Sequence, residues 1–322
     1  MWNVNKSIVY GARIIDKTIL KSSTSGGVFS PISDLIIKNG GLVCGAVYSS
    51  DYKVKHVISA SPEVRNEMRM AKYVQSNMGD IISKILKHLE EGKIVLFSGT
   101  PCQVAAVKNV VSARHLEKKL VTIDIICHGV PSPKLFKEHI DMIEKKYGAI
   151  KSYIFRDKQK GWRGQNVTII TESGIVPDKD AKLYSSLYFN SLIIRPSCYK
   201  CPFASVHREG DITIGDYWGI LKENKRTNDN LGISQIMLNT QKGVRIFDEI
   251  KQELEYFEIK SNNYIQPNMK KPTERSMVTD AFWKVYNKKG IQSGKKFLKT
   301  LKYRMIPYRI LNKLFMRGNK NE

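Results

Sequence analysis

Between residues 81 and 148 the chain alternates helix-like and strand-like segments, and this alternation limits the fold more than any other feature. The segment IISKILKHLEEGK has apolar residues at helical spacing, and the short apolar run KIVLFSG follows it directly. Two further predicted helices, PCQVAAVKNVVSARHLEKK and SPKLFKEHIDMIEKKYG, flank the apolar strand LVTIDIIC. Such alternation is typical of parallel strands covered by helices. We therefore predict an α/β fold, a layered open sheet with parallel strands in the middle of the chain.

The flanking regions predict smaller mixed β regions and a helical, basic C-terminus. LVCGAVY and DYKVKHVIS indicate a hairpin, and SYIFRDKQKGW, NVTIITESG and DITIGDYWG indicate strands or strand ends. The first twenty residues carry few usable signals. After about Ile265 the periodicity weakens and the chain becomes basic. We expect three parts, residues 1–92, 93–265 and 266–322.

The charge balance favours anionic partners. The 322 residues include 53 Lys or Arg and 30 Asp or Glu, a formal net charge of +23. Much of this excess belongs to the end of the chain, since residues 295–322 hold nine basic residues and one acidic residue. That basic tail mixes Leu, Ile, Phe and Tyr with its cations, so it predicts either a helix packed on the body or a peripheral contact with an anionic membrane surface. No nucleic-acid-binding motif supports nucleic acid as the partner.

The sequence also predicts the cellular compartment. There is no run of about 18 apolar residues, as a transmembrane helix would need, and the N-terminus lacks the apolar core of a secretory signal. We expect a cytoplasmic protein, with the basic tail as its candidate contact with the inner face of the membrane. In the cytoplasm thiols stay reduced, and clustered cysteines more often hold metal than form disulfides.

Four of the five cysteines are placed to form one site. Cys102 and Cys127 each follow a predicted parallel strand, and the carboxyl ends of neighbouring parallel strands share one edge of a sheet. Cys198 and Cys201 lie in a loop rich in turn formers that could close over this edge. Cys44 lies inside an apolar strand and is interpreted as a small buried hydrophobic residue.

Four thiolates at one point suit a zinc ion or a 4Fe–4S cluster. Structural zinc sites usually take two close ligand pairs, whereas here one pair is close and two ligands come singly, which favours the cluster. A redox disulfide between Cys198 and Cys201 is a second interpretation, although no thioredoxin-like strand and helix precede it. A set of unrelated cysteines is a third, and it would leave Cys198 and Cys201 in a polar loop without a reason.

Several polar loops are candidate anion or cofactor contacts, and each alone is equally well explained as a surface loop. The Ser/Thr/Gly segment of residues 22–27 precedes a predicted helix, whose N-terminal amides could bind an anion. The others are AKYVQS, SGTPCQ and FRDKQKGW, residues 71–76, 98–103 and 155–162.

Taken together, these segments resemble the beta-subunit family of coenzyme F-420 hydrogenases and dehydrogenases, which includes 7-hydroxymethyl chlorophyll a reductases and many bacterial proteins. The resemblance covers roughly residues 20–265 and keeps the family's order. The segments that carry it are STSGGVF (23–29), KYVQS (72–76), FSGTPCQVAAV (97–107), ICHGVPSP (126–133), FRDKQKGW (155–162) and RPSCYKCPFA with GDITIGDYWG (within 195–219).

The resemblance implies a flavin-dependent oxidoreductase that passes electrons between a 4Fe–4S cluster, FAD and an organic substrate. It implies that the flavin loops lie in residues 1–92 and the cluster cysteines and sheet-edge site in residues 93–265. The implied cluster ligands are Cys102, Cys127, Cys198 and Cys201. The implied FAD contacts are Ser25, Gly26, Gly27, Lys72, Tyr73, Gln75, Ser76 and Thr100. His128 is a candidate for tuning the cluster or moving protons, with a structural role as the alternative, and Asp216 is assigned no chemistry.

The same resemblance leaves the reaction partners open. Many relatives carry an N-terminal ferredoxin-like module with its own cysteines, whereas the first cysteine here is Cys44, so we expect a ferredoxin-like or other electron donor in trans. Bacterial relatives often accompany polysaccharide genes, which suggests a small molecule or a glycan precursor as the substrate. The alternative function is a catalytically inactive accessory protein of polysaccharide assembly, stabilised by a cluster or zinc.

Overall fold

The computed structural model describes residues 3–223 and 229–304, which form eleven strands and thirteen α-helices within those ranges. The strands are β1 (Asn3–Ile14), β2 (Leu42–Tyr48), β3 (Val54–Ser59), β4 (Val95–Gly99), β5 (Leu120–Ile125), β6 (Ile150–Ile154), β7 (Thr168–Thr171), β8 (Gly174–Ile175), β9 (Ile212–Asp216), β10 (Ser234–Thr240) and β11 (Leu254–Glu258). The helices are α1 (Lys17–Lys21), α2 (Phe29–Lys38), α3 (Pro62–Met68), α4 (Ile81–Glu90), α5 (Pro101–Ser112), α6 (Pro133–Tyr147), α7 (Asp178–Ala181), α8 (Leu183–Phe189), α9 (Ile220–Glu223), α10 (Gln241–Ile250), α11 (Pro267–Lys270), α12 (Thr279–Lys289) and α13 (Ser293–Arg304).

A mixed eight-stranded sheet is the centre of the fold. Its strand order is β11-β1-β10-β9-β5-β4-β2-β3. The inner strands β2, β4, β5 and β9 run parallel to one another, and the flanking pairs are antiparallel. The predicted α/β fold with parallel strands in the middle of the chain is therefore confirmed. This sheet takes strands from both sides of residue 92, and the three-part division of the chain remains a prediction.

The parallel strands and their helices form where the local pattern predicts them. Val95, Leu96 and Phe97 of β4 are fully buried, as a strand covered on both faces requires. Helix α5 starts at a capping box in which the side chains of Thr100 and Gln103 satisfy the first amides. Helix α6 is capped by Ser132, the first residue of the predicted helical segment, whose hydroxyl accepts from an amide of the first turn.

The first strand is a structural element that the sequence pattern did not indicate. β1 lies between β10 and β11, and its Ala12 and Ile14 are buried in the core that α2 and α10 share. The loop after α1 then returns against β1, because the amide of Ile14 donates to the carbonyl of Gly26 at 2.8 Å. The N-terminal segment thereby places the Ser/Gly loop beside the central sheet.

A second layer consists of the antiparallel sheet β6-β7-β8 and the C-terminal helices. Its core contains the fully buried rings of Tyr184, Phe282 and Phe297. Phe297 belongs to α13, so the described part of the basic tail packs on the body of the protein. Residues 305–322, where most of the proposed membrane contact would fall, lie outside the described residues. Within the described residues, every helix is too short or too polar to cross a membrane.

Candidate functional site

The carboxyl edge of the parallel strands carries two of the predicted cluster ligands. Cys102 lies in the first turn of α5, three residues after β4, and Cys127 follows β5 by two residues. β4 and β5 are hydrogen-bonded parallel neighbours, so the two cysteines that follow them lie at the same edge of the sheet. Cys198 lies in a 3-10 turn and Cys201 directly follows it.

The four cysteines line one cavity of about 710 Å³. Burial, together with the nearby charges of the other three cysteines, raises the pKa of the Cys127 thiol to about 12, although the hydrogen bond from the Gly129 amide acts in the opposite direction. Cys44 stands apart in β2, fully buried, as expected for a hydrophobic residue. Among the described residues, no three His, Cys, Asp or Glu side chains are arranged to hold a single metal ion. The thiols thus share a cavity without forming a closed ligand shell.

Small and polar groups around this cavity suit thiolate sulfur. Gly129 has a φ of +113° and donates its amide to the Cys127 sulfur at 3.3 Å. A Cβ at this glycine would lie 2.8 Å from Ile194 and 3.1 Å from the Cys198 Cβ, so no larger residue fits. The Thr100 hydroxyl lies 3.2 Å from the Cys102 sulfur. Four thiols with such donors are the ligand set that iron–sulfur clusters use, and the site fits one by its chemistry.

A second cavity of about 440 Å³ adjoins the first and shares part of its wall, including residues 127–130. Most of the predicted FAD contacts line this second cavity. They are Ser25, Gly27, Lys72, Tyr73, Ser76 and Thr100. Gln75 instead lines the cysteine cavity, and Gly26 lines neither.

Gly26 packs directly against the central sheet. Its amide donates to the Ser234 hydroxyl at 2.9 Å, and a Cβ at this position would lie 2.2 Å from the carbonyl oxygen of Ala12. The neighbouring Ser25 hydroxyl donates to the carbonyl of Ile233 at 2.8 Å. These contacts hold the Ser/Gly loop against β1 and β10, and the loop is thus a fixed wall of the second cavity.

Two half-buried lysines lie near the Ser/Gly loop, and one of them, Lys72, lines the second cavity. The Lys72 ammonium donates to the carbonyls of Glu67 and Arg69 at 2.9 Å each, and burial lowers its pKa to about 7. Lys158 donates to the carbonyls of Leu20 and Ser25, and burial lowers its pKa to about 7 as well. An anion bound in the second cavity would favour the charged form of Lys72.

Gln103 lines both cavities. Its amide nitrogen donates to the Ser76 hydroxyl at 2.9 Å, and its amide oxygen accepts from Thr100 at 3.0 Å. The sequence analysis did not single out Gln103, although its spacing from Thr100 matches a capping box. Tyr73 and Tyr188 also line the second cavity, and their rings stack with the centroids 5.1 Å apart.

His128 lies on the wall that the two cavities share. Its Nδ1 is 3.3 Å from the Thr273 hydroxyl, which also donates to the His128 carbonyl at 2.5 Å. The ring meets Tyr188 edge to face at 5.2 Å. Burial lowers the pKa of His128, so the ring is held neutral beside the predicted ligand Cys127.

Three polar side chains that the sequence analysis missed also face the second cavity. Ser30 Oγ, His56 Nδ1 and Arg69 Nε are buried and have no hydrogen-bond partner among the described residues. They come from α2, from β3 and from the segment after α3, and no local pattern connects them. Ser30, His56 and Arg69 thereby add a hydroxyl, an imidazole and a guanidinium group to the wall of this cavity. The cavity therefore fits a cofactor with several hydrogen-bonding groups and an anionic part.

Comparisons with known proteins identify the family and a structure with a similar fold. The family model that describes the C terminus of the coenzyme F420 hydrogenase/dehydrogenase beta subunit matches residues 92–263, more than half of the chain. No curated protein matches the chain. Among solved structures, a chain of the F420-reducing [NiFe] hydrogenase complex from Methanosarcina barkeri has the same fold, with a TM-score of 0.56. It is 19% identical over 95% of this chain and 97% of that chain.

Proposed function

The chain belongs to the coenzyme F420 hydrogenase/dehydrogenase beta-subunit family, and we propose that it is a flavin-dependent oxidoreductase that passes electrons between a 4Fe–4S cluster, FAD and an organic substrate. One observation carries this proposal. A cavity lined by four cysteines shares part of its wall with a second cavity, which is lined by the Ser/Gly loop, Arg69 and Lys72. Such an arrangement suits two cofactors on either side of one protein wall, with an electron path between them.

The proposed cluster ligands are Cys102, Cys127, Cys198 and Cys201, and the protein's contribution is to hold them as thiolates. The amide of Gly129 and the hydroxyl of Thr100 would stabilise negative sulfur. When bound, the cluster would carry single electrons, whereas FAD would exchange an electron pair with an organic molecule.

The proposed flavin site uses the second cavity. Lys72 and Arg69 would offset the negative charge of the diphosphate, since both are half-buried and line the second cavity together with the Ser/Gly loop. Thr100, Ser76 and Tyr73 would bind polar groups of the ring system from the wall that adjoins the cysteines. His128 would hold or pass a proton at the shared wall.

The substrate is proposed as a small organic molecule or glycan precursor, and the electron donor as a ferredoxin-like protein acting in trans. A structural relative that belongs to a hydrogenase complex supports the use of partner proteins. This chain would receive or deliver electrons through the cysteine side and convert its substrate at the flavin side.

Anaerobic purification tests the proposal directly. We expect a brown protein with about four irons and four sulfides per chain and one FAD, because a four-thiolate cluster and a flavin absorb in the visible range. Cys102→Ser should lose the iron, whereas the control Cys44→Ala should keep it, since Cys44 is buried in β2 away from both cavities. A colourless protein with one zinc ion would show that the accessory-protein interpretation is the correct one.

A further inference from the structure

A buried ion pair joins the two chain segments that present Cys127 and Cys201. Asp124 lies in β5, three residues before Cys127, and its side chain is fully buried. Arg208 follows Cys201 by seven residues, and its side chain is 1% exposed. The guanidinium contacts the carboxylate at 2.9 Å. Burying both charges costs several kcal/mol unless the remaining donors and acceptors are also paired.

The remaining donors of Arg208 are used on both segments. The guanidinium donates to the carbonyl of Ile125 at 3.1 Å, two residues before Cys127. It also donates to the carbonyls of Ser205 at 3.1 Å and Phe203 at 3.4 Å, which follow Cys201. The planar guanidinium of Arg208 therefore sets the distance between the end of β5 and the loop that carries Cys201.

The carboxylate of the ion pair, Asp124, is also held in place by hydrogen bonds. Asp124 accepts from the Thr213 hydroxyl and from the amide of Glu209 at 3.3 Å. Thr213 belongs to β9, which is hydrogen-bonded to β5. Asp124 thus holds Arg208 from within the central sheet, where the strands allow little movement.

Arg208 also contributes charge to the cysteine cavity. The charged side chains that line this cavity are Lys53, Arg195 and Arg208, with no carboxylate among the described lining residues. Lys53 and Arg195 are exposed, whereas the Arg208 side chain is buried. The Asp124 carboxylate, 2.9 Å away and equally buried, offsets most of the Arg208 charge, so loss of Arg208 would leave an unpaired negative charge in the segment that carries Cys127.

We propose that Arg208, held by Asp124, is a positioning residue of the thiolate site that fixes the Cys201 loop against Cys127, so that the cysteines on both segments are held in place for a bound cluster. This inference rests on the proposed function, because it concerns how the chain would hold that cluster.

Three substitutions separate position from charge. Arg208→Lys keeps the cation but loses the planar guanidinium, Arg208→Gln removes the cation, and Asp124→Asn removes the group that holds it. The matched control is Asp180→Asn, because Asp180 is also a buried carboxylate paired with cations, Lys146 and Lys295, and lines neither cavity. Circular dichroism and melting temperature verify folding of each variant.

The first measurement uses iron-free protein and therefore does not depend on activity. Alkylation of each cysteine is followed over time by mass spectrometry. We expect Cys127 and Cys201 to react several-fold faster in Arg208→Gln and Asp124→Asn than in the parent and in Asp180→Asn, with Cys44 unchanged in all of them.

The second measurement uses protein reconstituted with iron and sulfide under anaerobic conditions. Arg208→Gln should bind iron roughly 10- to 100-fold more weakly, the usual cost of losing an outer partner of a metal ligand. A redox titration monitored by electron paramagnetic resonance should give a more negative midpoint potential for Arg208→Gln, with Arg208→Lys closer to the parent.

Each outcome decides the inference. If Arg208→Gln does not fold, Asp124→Asn and Arg208→Lys still test the positioning of the Cys201 loop through the alkylation rates and the iron affinity. Folded variants with the parent's alkylation rates, iron affinity and potential overturn the role of Arg208. If the parent itself binds no iron, the proposed function fails, and unchanged alkylation rates in the variants would separately refute the positioning of the Cys201 loop.

Discussion

Lys72 is a half-buried lysine whose charge depends on the groups beside it. Its ammonium donates to backbone carbonyls, and burial holds its pKa near 7, while the charge of Glu67 acts in the opposite direction. In the ligand-free protein the lysine therefore loses its proton as the pH rises through about 7. A bound diphosphate would favour the protonated form and raise this pKa again.

Flavin binding should consequently take up a proton. We expect the affinity for FAD to fall by up to about tenfold per pH unit above pH 7, because each further unit lowers the fraction of the protein in which Lys72 is protonated. Lys72→Met should bind FAD more weakly at pH 6.5 and show a flatter pH dependence. Fluorescence quenching of FAD between pH 6.5 and 8.5 measures both effects.

The control for this experiment is Lys53→Met, because the Lys53 ammonium is exposed and pairs with Asp51. This variant should retain the parent's pH dependence. An unchanged profile in Lys72→Met would assign the proton uptake to another group, of which Lys158 is the first candidate because its pKa is also about 7.

At the scale of single elements, the loop between α1 and α2 depends on one glycine. Gly26 lies so close to β1 that a methyl group would approach the carbonyl oxygen of Ala12 to 2.2 Å and the amide nitrogen of Ser234 to 2.7 Å. Both atoms belong to the backbone of paired strands and cannot move aside. The loop and the sheet must therefore separate if the side chain grows.

We expect Gly26→Ala to lower the free energy of unfolding by about 1–3 kcal/mol, the usual cost of overpacking, and to weaken flavin binding. The control is Gly290→Ala, where nothing lies within 4 Å of the added methyl group but φ is +65°. This control should cost about 1 kcal/mol or less and leave the flavin in place. Urea unfolding and flavin titration provide the two measurements, and equal losses in both variants would contradict the argument.

The predictability of the elements follows the range of the interactions that form them. The parallel strands and their helices were predicted because each carries its own periodicity and caps, as at Thr100 and Ser132. β1 was missed because its place is set by pairing with β10 and β11, more than 200 residues away. Local sequence pattern was therefore enough to predict the strands in the middle of the sheet. The position of β1 depended on pairing with strands that are distant in sequence.

The site shows the same division. The positions of Cys102 and Cys127 followed from two strand ends, whereas His56 and Arg69 reach the second cavity from separate elements with no common motif. Gly26 shows the opposite case, since a residue suited to anion binding instead packs on the sheet. Sequence pattern indicates which groups suit a cofactor, and tertiary packing decides which of them face it.

At the scale of the whole molecule, the central sheet brings two cavities together at one edge. The segment of residues 127–130 belongs to both cavities, and Thr100 and Ser76 contribute to both as well. Lys72 lines only the second cavity, and Cys201 lines only the first. The molecule therefore offers two binding sites that are adjacent but have separate outer walls.

Two substitutions in these outer walls should separate the two cofactors. Cys201→Ser should lose iron and acid-labile sulfide yet retain flavin, because it removes a proposed ligand without changing the second cavity. Lys72→Glu should lose flavin yet retain iron, because a carboxylate in place of the cation would repel the diphosphate. Both contents are measured on anaerobically prepared protein, with Cys44→Ala as the control that keeps both. Loss of both cofactors in each folded variant would mean that the cavities act as one site, and the separate outer walls would then have no functional meaning.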